Sequence, residues 1–296
     1  MPETSKNARL YPAIFLPGGE IRCRIIIFDF DGTIADTGPG IRASLRKAIE
    51  ALHLPAKTDE ELSTLIGPPI RKAFMEMFGL TEEQAVQAVY AYRRFYNQSG
   101  AYDALVYDGI PALLADLKTK GYEICVGTSK PWVVTHKILR HFHLRQYFNG
   151  VFGSFVDGRQ AEKALVLQSI VEHYAGVSPL PPGRLAWSGE EGQAAAEHGT
   201  VLGVVPSGGE AAAPGAVPNS GEAATLGSMP PEENPEDLRA LMIGDRYYDM
   251  EGAKAIGLPA IGVTFGYGTE AELSQAGASL IVNHPSEISA KLPPLR

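Results

Sequence analysis

The chain predicts an α/β fold, a doubly wound parallel sheet with a small all-helical domain inserted into it. Three observations carry this. A short β-branched run, Arg24–Phe28, ends in a turn rich in aspartate. From residue 110 onward, strand-like and helix-like stretches alternate, as a parallel sheet covered on both faces requires. Between them, residues 39–105 hold only helical patterns.

Taken in order, residues 1–20 read as a loose extension, with Pro2, Pro12, Pro17, Gly18 and Gly19. Residues 21–38 begin the core. Gly40–Leu54 shows helical spacing at Ile41, Leu45, Ile49 and Leu52. Thr58 with Glu61, and Thr81 with Gln84, form two capping boxes, each opening a helix. Gly67-Pro68-Pro69 breaks the chain between them, before a helix over Ile70–Phe78. The core resumes over 106–296. Its predicted helices are Ile110–Lys120, Pro131–Phe142, Ala161–Tyr174 and Asp249–Ile256. Its predicted strands are Tyr122–Gly127, Gly150–Phe155, Leu238–Ile243, Ala260–Thr264 and Ser279–Val282. Within the core, residues 176–231 hold 11 Gly, 8 Pro and 10 Ala and one aromatic, Trp187. So few large side chains do not offset the ordering entropy of a packed element, and a flexible, disordered insertion is expected.

Composition limits the functional classes. The 296 residues carry 26 basic and 34 acidic side chains, a net charge of −8, which argues against binding nucleic acid through a basic surface. Two cysteines, Cys23 and Cys125, both in apolar runs, rule out a disulfide scaffold and read as core thiols. No apolar run reaches the ~20 residues of a membrane helix, and the N-terminal patch Ala13–Pro17 is too short for a leader, so a cytoplasmic protein without membrane contact is expected.

The chemistry concentrates at strand ends. Asp29-Phe-Asp31-Gly-Thr follows the first strand, and Gly244-Asp245-Arg-Tyr-Tyr-Asp249 follows a later one. In a parallel sheet, ligands bind at the carboxyl ends of the strands. If both strands are central, their carboxylates converge, and a hard divalent cation offsets the repulsion; oxygen-only ligands point to Mg²⁺. Thr128 ends another strand, where its hydroxyl can bond a phosphoryl oxygen. Lys163, at the start of a helix, can neutralise phosphoryl charge.

In this order the motifs Asp29-x-Asp31-Gly-Thr-x-x-Asp36-Thr37, Thr128, Lys163 and Gly244-Asp245-x-x-x-Asp249 resemble the haloacid dehalogenase-like hydrolase superfamily. The resemblance covers about residues 22–174 and 238–290. It implies a Rossmann-like core, with residues 39–105 as a helical cap. Gly67-Pro-Pro-Ile-Arg71 and Phe265-Gly-Tyr-Gly-Thr resemble the branch of phosphoglycolate phosphatases and 5′-nucleotidases. By that resemblance Asp29 is the nucleophile and Asp31 the acid/base. Asp29, Asp31 (through its carbonyl), Asp245 and Asp249 hold the metal, and Thr128, Ser129 and Lys163 bind the phosphoryl group. Arg71 is a candidate contact for a substrate carboxylate or second phosphate. The family's usual link from the lysine helix to the last motif is short; here it exceeds 60 residues.

The expected activity is hydrolysis of a small phosphate ester, 2-phosphoglycolate or a nucleoside 5′-monophosphate. A sugar-phosphate mutase or pyrophosphatase of the same fold, and a non-catalytic binding module, are the alternatives. Tyr90, Tyr92, Phe95 and Tyr96 read mainly as packing at helical spacing, and His141 and His143 as surface. The sequence does not specify an oligomeric state.

Overall fold

Residues 11–175 and 239–295 are described by the computed structural model. The segment 176–231, expected to be a disordered insertion, lies outside them.

The first strand of the predicted core, β4 (Ile25–Phe28), lies mid-sheet because all four of its residues are apolar and its flanks recruit strands on both sides. One side takes β7 (Glu123–Pro131) and then β8 (Gly150–Ser154). The other takes β9 (Arg239–Gly244), β10 (Ala260–Val263) and β11 (Leu280–Val282), and every pairing is parallel. Phe28 stands opposite both Val126 and Ile243, so these three residues lie at one level; β4 and β9 end there or one residue beyond, while β7 runs on to Pro131.

The two-residue period of β4 sorts its side chains onto two faces. Ile26 and Phe28 pack with Leu113, Leu114 and Leu117 of α5 (Ile110–Thr119) and with Ile138 of α6 (Trp132–His141). Ile25 and Ile27 pack with Val166, Leu167 and Ile170 of α7 (Lys163–Tyr174) and with Met250 and Ala253 of α8 (Tyr247–Ala255). Both faces are covered, as the fold class predicts. Cys23 and Cys125 are buried free thiols.

The helical insertion consists of α1 (Gly38–Ala51), α2 (Asp59–Ser63), α3 (Ile70–Phe78) and α4 (Glu82–Gln98), closed by a 3₁₀ turn at Gly100–Tyr102. Both predicted capping boxes form. Thr58 accepts from the Glu61 amide and Thr81 from the Gln84 amide, and each glutamate or glutamine side chain returns to its cap backbone. Its apolar faces, Ile41, Leu45 and Ala48 on α1 and Ala88, Val89 and Tyr92 on α4, join the same buried cluster as one face of the sheet. The strands that lead in and out, β5 (Ala35–Asp36) and β6 (Leu105–Val106), pair antiparallel with each other.

The structure differs from the sequence reading at the N-terminus. From Tyr11 onward the expected loose extension is paired. β1 (Tyr11–Pro12) runs parallel beside Arg239–Ala240, and β2 (Ile14–Phe15) pairs with β3 (Ile21–Arg22). The partner of β1 lies more than 200 residues away, so local Pro- and Gly-rich composition does not reveal it. β7 also extends past its predicted end, with its register against β8 shifted between Thr128 and Pro131. Helices α9 (Glu270–Gln275) and α10 (Pro285–Lys291) add to the predicted set. Among the described residues, no helix is long and apolar enough to cross a membrane.

Candidate active site

Asp29 is the first residue past β4, and its amide donates to the Ile243 carbonyl at 2.9 Å, extending the ladder by one step. That bond sets Asp29 beside Asp245, the first residue past β9. Asp249 comes back from the first turn of α8, where its carboxylate accepts from the Arg246 amide at 3.1 Å. Carboxylate oxygens of Asp29, Asp245 and Asp249 lie within 4.8 Å of one another, and all three residues are buried.

Two glycines make this convergence sterically possible. Gly32 has φ +81°, and a Cβ there would lie 2.1 Å from an Asp245 oxygen. A Cβ on Gly244 would lie 2.2 Å from the Asp249 carboxyl carbon. Both glycines of the two acidic motifs thus leave room for an aspartate of the second.

Among the described residues, Lys163 is the single cation that pairs with this cluster. Its Nζ is 2.8 Å from Asp29 Oδ1 and 2.8 Å from Asp249 Oδ1, and it donates to the Gly127 carbonyl at 2.9 Å. Burial pulls its ammonium down, but the Asp249 and Asp29 carboxylates outweigh burial and hold the proton above the ordinary lysine range. Asp245 is pushed well up, first by burial and then by the charges of Asp249 and Asp29, against the Tyr267 amide (2.8 Å) and the Thr33 hydroxyl (3.1 Å) that bond it. Asp249 is pushed up to about 6, by burial first, with Lys163 opposing.

Three buried carboxylates against one lysine leave an excess of negative charge. The Oδ1 atoms of Asp29 and Asp249 are buried, ion-paired to Lys163, and without a well-aligned hydrogen bond. An all-oxygen donor set with uncompensated charge suits a hard divalent cation. The cluster fits the metal expected from the sequence.

Asp31 stands apart from this cluster. Its Oδ1 accepts from the Thr37 hydroxyl at 2.6 Å and meets Lys130 Nζ at 3.1 Å. Thr128 is buried in β7 where its register against β8 begins to shift, one residue beyond the level of Asp29, and its hydroxyl accepts from the Lys130 amide at 3.3 Å. Ser129 is half-buried beside it. Arg71, in the first turn of α3, instead pairs with Glu82 at 2.7 Å, both side chains about half exposed (44% and 54%). His141 packs against Tyr102, its ring tilted by 49° and its centroid 4.7 Å away.

Lys130 escaped the sequence reading, and Tyr96 was read there mainly as packing. Lys130 and Tyr96 meet at 2.9 Å, and the Tyr96 ring stacks on Tyr92. The signal for Lys130 was its place two residues after Thr128 at a strand end. Tyr92 and Tyr96 do pack, as expected, yet one hydroxyl of the pair reaches the core motif. Between insertion and core lies a cleft of about 370 Å³, walled by Leu65, Pro68 and Met77 on one side and Arg246, Tyr247 and Tyr248 on the other. Arg246 ties the walls together, donating to the Ile66 carbonyl at 3.1 Å and to Glu272 at 2.8 Å.

Known proteins resemble this chain in sequence and in fold. A sequence profile described as haloacid dehalogenase-like hydrolase matches residues 26–163, and a second hydrolase-like profile of that group matches 223–288. A 5′-nucleotidase from Pseudomonas aeruginosa is 31% identical over 248 residues, 84% of this chain and 86% of that protein. The chain is a haloacid dehalogenase-like hydrolase. Other relatives carry different activities in their names. The tyrosine-protein kinase PtkA of Mycobacterium tuberculosis is 29% identical over 90% of this hydrolase and 70% of its own length, and proteins named phosphoglycolate phosphatase also match. A crystal structure described as a predicted phosphatase from Clostridium acetobutylicum superposes with a TM-score of 0.68 at 30% identity, covering 91% of this hydrolase and 98% of that chain. The hydrolase is an enzyme of the phosphatase type.

Proposed function

We propose that the hydrolase is a Mg²⁺-dependent phosphomonoesterase that works through an aspartyl-phosphate on Asp29. Its first candidate substrates are 2-phosphoglycolate and nucleoside 5′-monophosphates. The observation that carries this reading is the different company of the two first-motif carboxylates. Asp29 faces Lys163 and the acidic cluster, while Asp31, two residues on, is held apart by Thr37 and Lys130.

That division matches the needs of two-step phosphoryl transfer. The Asp29 carboxylate attacks phosphorus, and the bond from phosphorus to the leaving oxygen breaks. Asp31 gives that oxygen a proton. In the second step Asp31 takes a proton from water, the water oxygen attacks phosphorus, and the bond to Asp29 breaks, releasing phosphate. Lys163 neutralises charge on the transferring group, and the Thr128 hydroxyl, with Ser129 beside it, holds a phosphoryl oxygen. Asp29, Asp245 and Asp249, with the Asp31 carbonyl, would hold Mg²⁺, which when bound offsets the charge of both the carboxylates and the phosphate. The helical insertion is a cap. Its cleft against Arg246 and Tyr247 opens beside the residue that follows Asp245.

Phosphate release from 2-phosphoglycolate, nucleoside 5′-monophosphates, pyrophosphate and sugar phosphates, with and without Mg²⁺, tests the reading, with Asp29→Asn as control. Mg²⁺-dependent turnover of one class, lost in the variant, supports it. Turnover that survives Asp29→Asn would sink the aspartyl-phosphate. Because one relative is named a kinase, the same panel with ATP and a tyrosine peptide asks whether water or a hydroxyl accepts the phosphoryl group.

A further inference from the structure

We infer that Lys130 is the positioning residue for the acid Asp31, and that Tyr96 of the helical insertion holds Lys130 in place. The inference rests on the acid role of Asp31 proposed above.

Lys130 is only 9% exposed, and a buried ammonium is costly unless its environment answers it. Its contacts come from two separate parts of the fold. The core supplies Asp31 Oδ1 at 3.1 Å. The insertion supplies the Tyr96 hydroxyl, which accepts from Nζ at 2.9 Å, and the Tyr96 ring, whose centroid lies 4.5 Å from Nζ. Tyr96 is itself braced, stacked on Tyr92 one helical turn earlier with centroids 5.3 Å apart. The lysine backbone is fixed as well. It lies in the stretch where β7 shifts register against β8, a local irregularity of the kind that re-aims a side chain, and its amide donates to Thr128.

The consequence falls on one oxygen of Asp31. Thr37 and Lys130 both engage Oδ1, which leaves Oδ2 for proton transfer to the leaving group. A carboxylate held by one oxygen from two directions has lost most of its rotational freedom, and orientation of the proton donor is what general acid catalysis depends on. The insertion therefore reaches the acid through a single lysine: α4 holds Tyr96, Tyr96 holds Lys130, and Lys130 holds Asp31. A lysine that merely neutralised charge would need no tyrosine hydroxyl from the opposite domain.

An acid matters only to a leaving group that needs a proton. Lys130→Met, Lys130→Arg, Tyr96→Phe and Asp31→Asn are compared on an alkyl phosphate (2-phosphoglycolate or adenosine 5′-monophosphate, whichever is turned over) and on 4-nitrophenyl phosphate, whose phenolate leaves unprotonated. Lys130→Met is expected to lower kcat/KM, which reports the step that expels the leaving group and not the later attack by water, at least about tenfold for the alkyl ester, a part of the roughly 10²–10⁴ that acid catalysis supplies, and to change it less than about threefold for the nitrophenyl ester. Tyr96→Phe removes one hydroxyl from a packed ring and is expected to follow the same split more weakly, and Lys130→Arg to restore part of it. Equal losses on both esters, or no loss on either, in both Lys130→Met and Tyr96→Phe overturn the inference while Asp31→Asn still discriminates between them. If Asp31→Asn itself lowers kcat/KM of the two esters alike, the acid role fails, and the positioning role fails with it.

Discussion

Replacing Lys163 by Met tests the electrostatic balance of the site most directly. The side chain is 4% exposed and meets two carboxylates at 2.8 Å. Each contact is worth roughly 6 kcal/mol of Coulomb attraction at an effective dielectric of about 20, much of it offset by the desolvation of both partners. Removing one member of a buried pair costs about 3–5 kcal/mol, because the charge left behind has neither water nor a partner. Protonation limits that cost. Asp249 is already raised to about 6 with Lys163 beside it, and Lys163 is among the influences that lower it, so the variant raises it further. A carboxyl whose native pKa rises takes up protons on folding, so the stability deficit shrinks as pH falls through that pKa, by about 1.4 kcal/mol for each further unit of rise. Urea unfolding of the full chain in EDTA, at pH 8 and pH 5, reads both quantities. The expected deficit is about 3–5 kcal/mol at pH 8 and distinctly less at pH 5. A deficit below ~1 kcal/mol at pH 8, or one as large at pH 5, would refute the reasoning. The same sign applies to the metal-free wild type. Raising Asp249 from 3.8 to about 6 makes its own contribution fall by roughly 3 kcal/mol as pH climbs from about 4 to 6, a slope that Asp249→Asn should flatten.

Other substitutions check particular contacts. Gly244→Ala puts a methyl group 2.2 Å from the Asp249 carboxyl carbon and is expected to cost about 1–3 kcal/mol in urea unfolding, together with most of the Mg²⁺-dependent activity; wild-type behaviour would mean the close approach is not maintained in solution. Tyr267→Phe deletes a hydroxyl that donates to Asp36 at 2.6 Å and accepts from the Gly38 amide at 2.7 Å, but spares the amide that bonds Asp245. It should lower stability by about 1–2 kcal/mol and leave Mg²⁺ affinity, read by titration calorimetry, unchanged. Arg71→Ala breaks a half-exposed ion pair with Glu82 and should change stability by less than about 1 kcal/mol and KM less than about twofold; a large rise in KM would return Arg71 to the substrate.

Much of the molecule was legible beforehand, and for local reasons. β4 is four apolar residues followed by a carboxylate, and the capping boxes at Thr58 and Thr81 are complete within four residues each. Asp29, Asp245 and Asp249 could be brought together on paper because parallel neighbours share a carboxyl end, and Gly32 and Gly244 stand where the aspartates need space. Lys163 follows from the same argument, since a buried acidic cluster requires a cation nearby.

What the sequence by itself determined is therefore what depends on short-range pattern: the strand periods, the helix caps, the acidic turns and the order in which they come. The tertiary structure alone decided everything that joins distant segments through a single contact. β1 could not be read because its partner strand begins at Arg239, and pairing there depends on an available edge rather than on local propensity. Arg71 could not be assigned because a long exposed side chain takes the nearest carboxylate its helix neighbours offer, here Glu82. Lys130 and Tyr96 are 34 positions apart, in a strand and a helix with independent patterns, and only the docking of the insertion onto the sheet sets one hydroxyl 2.9 Å from one ammonium. Periodicity tells which face of an element is buried; which atoms meet across that face is set by how two elements pack.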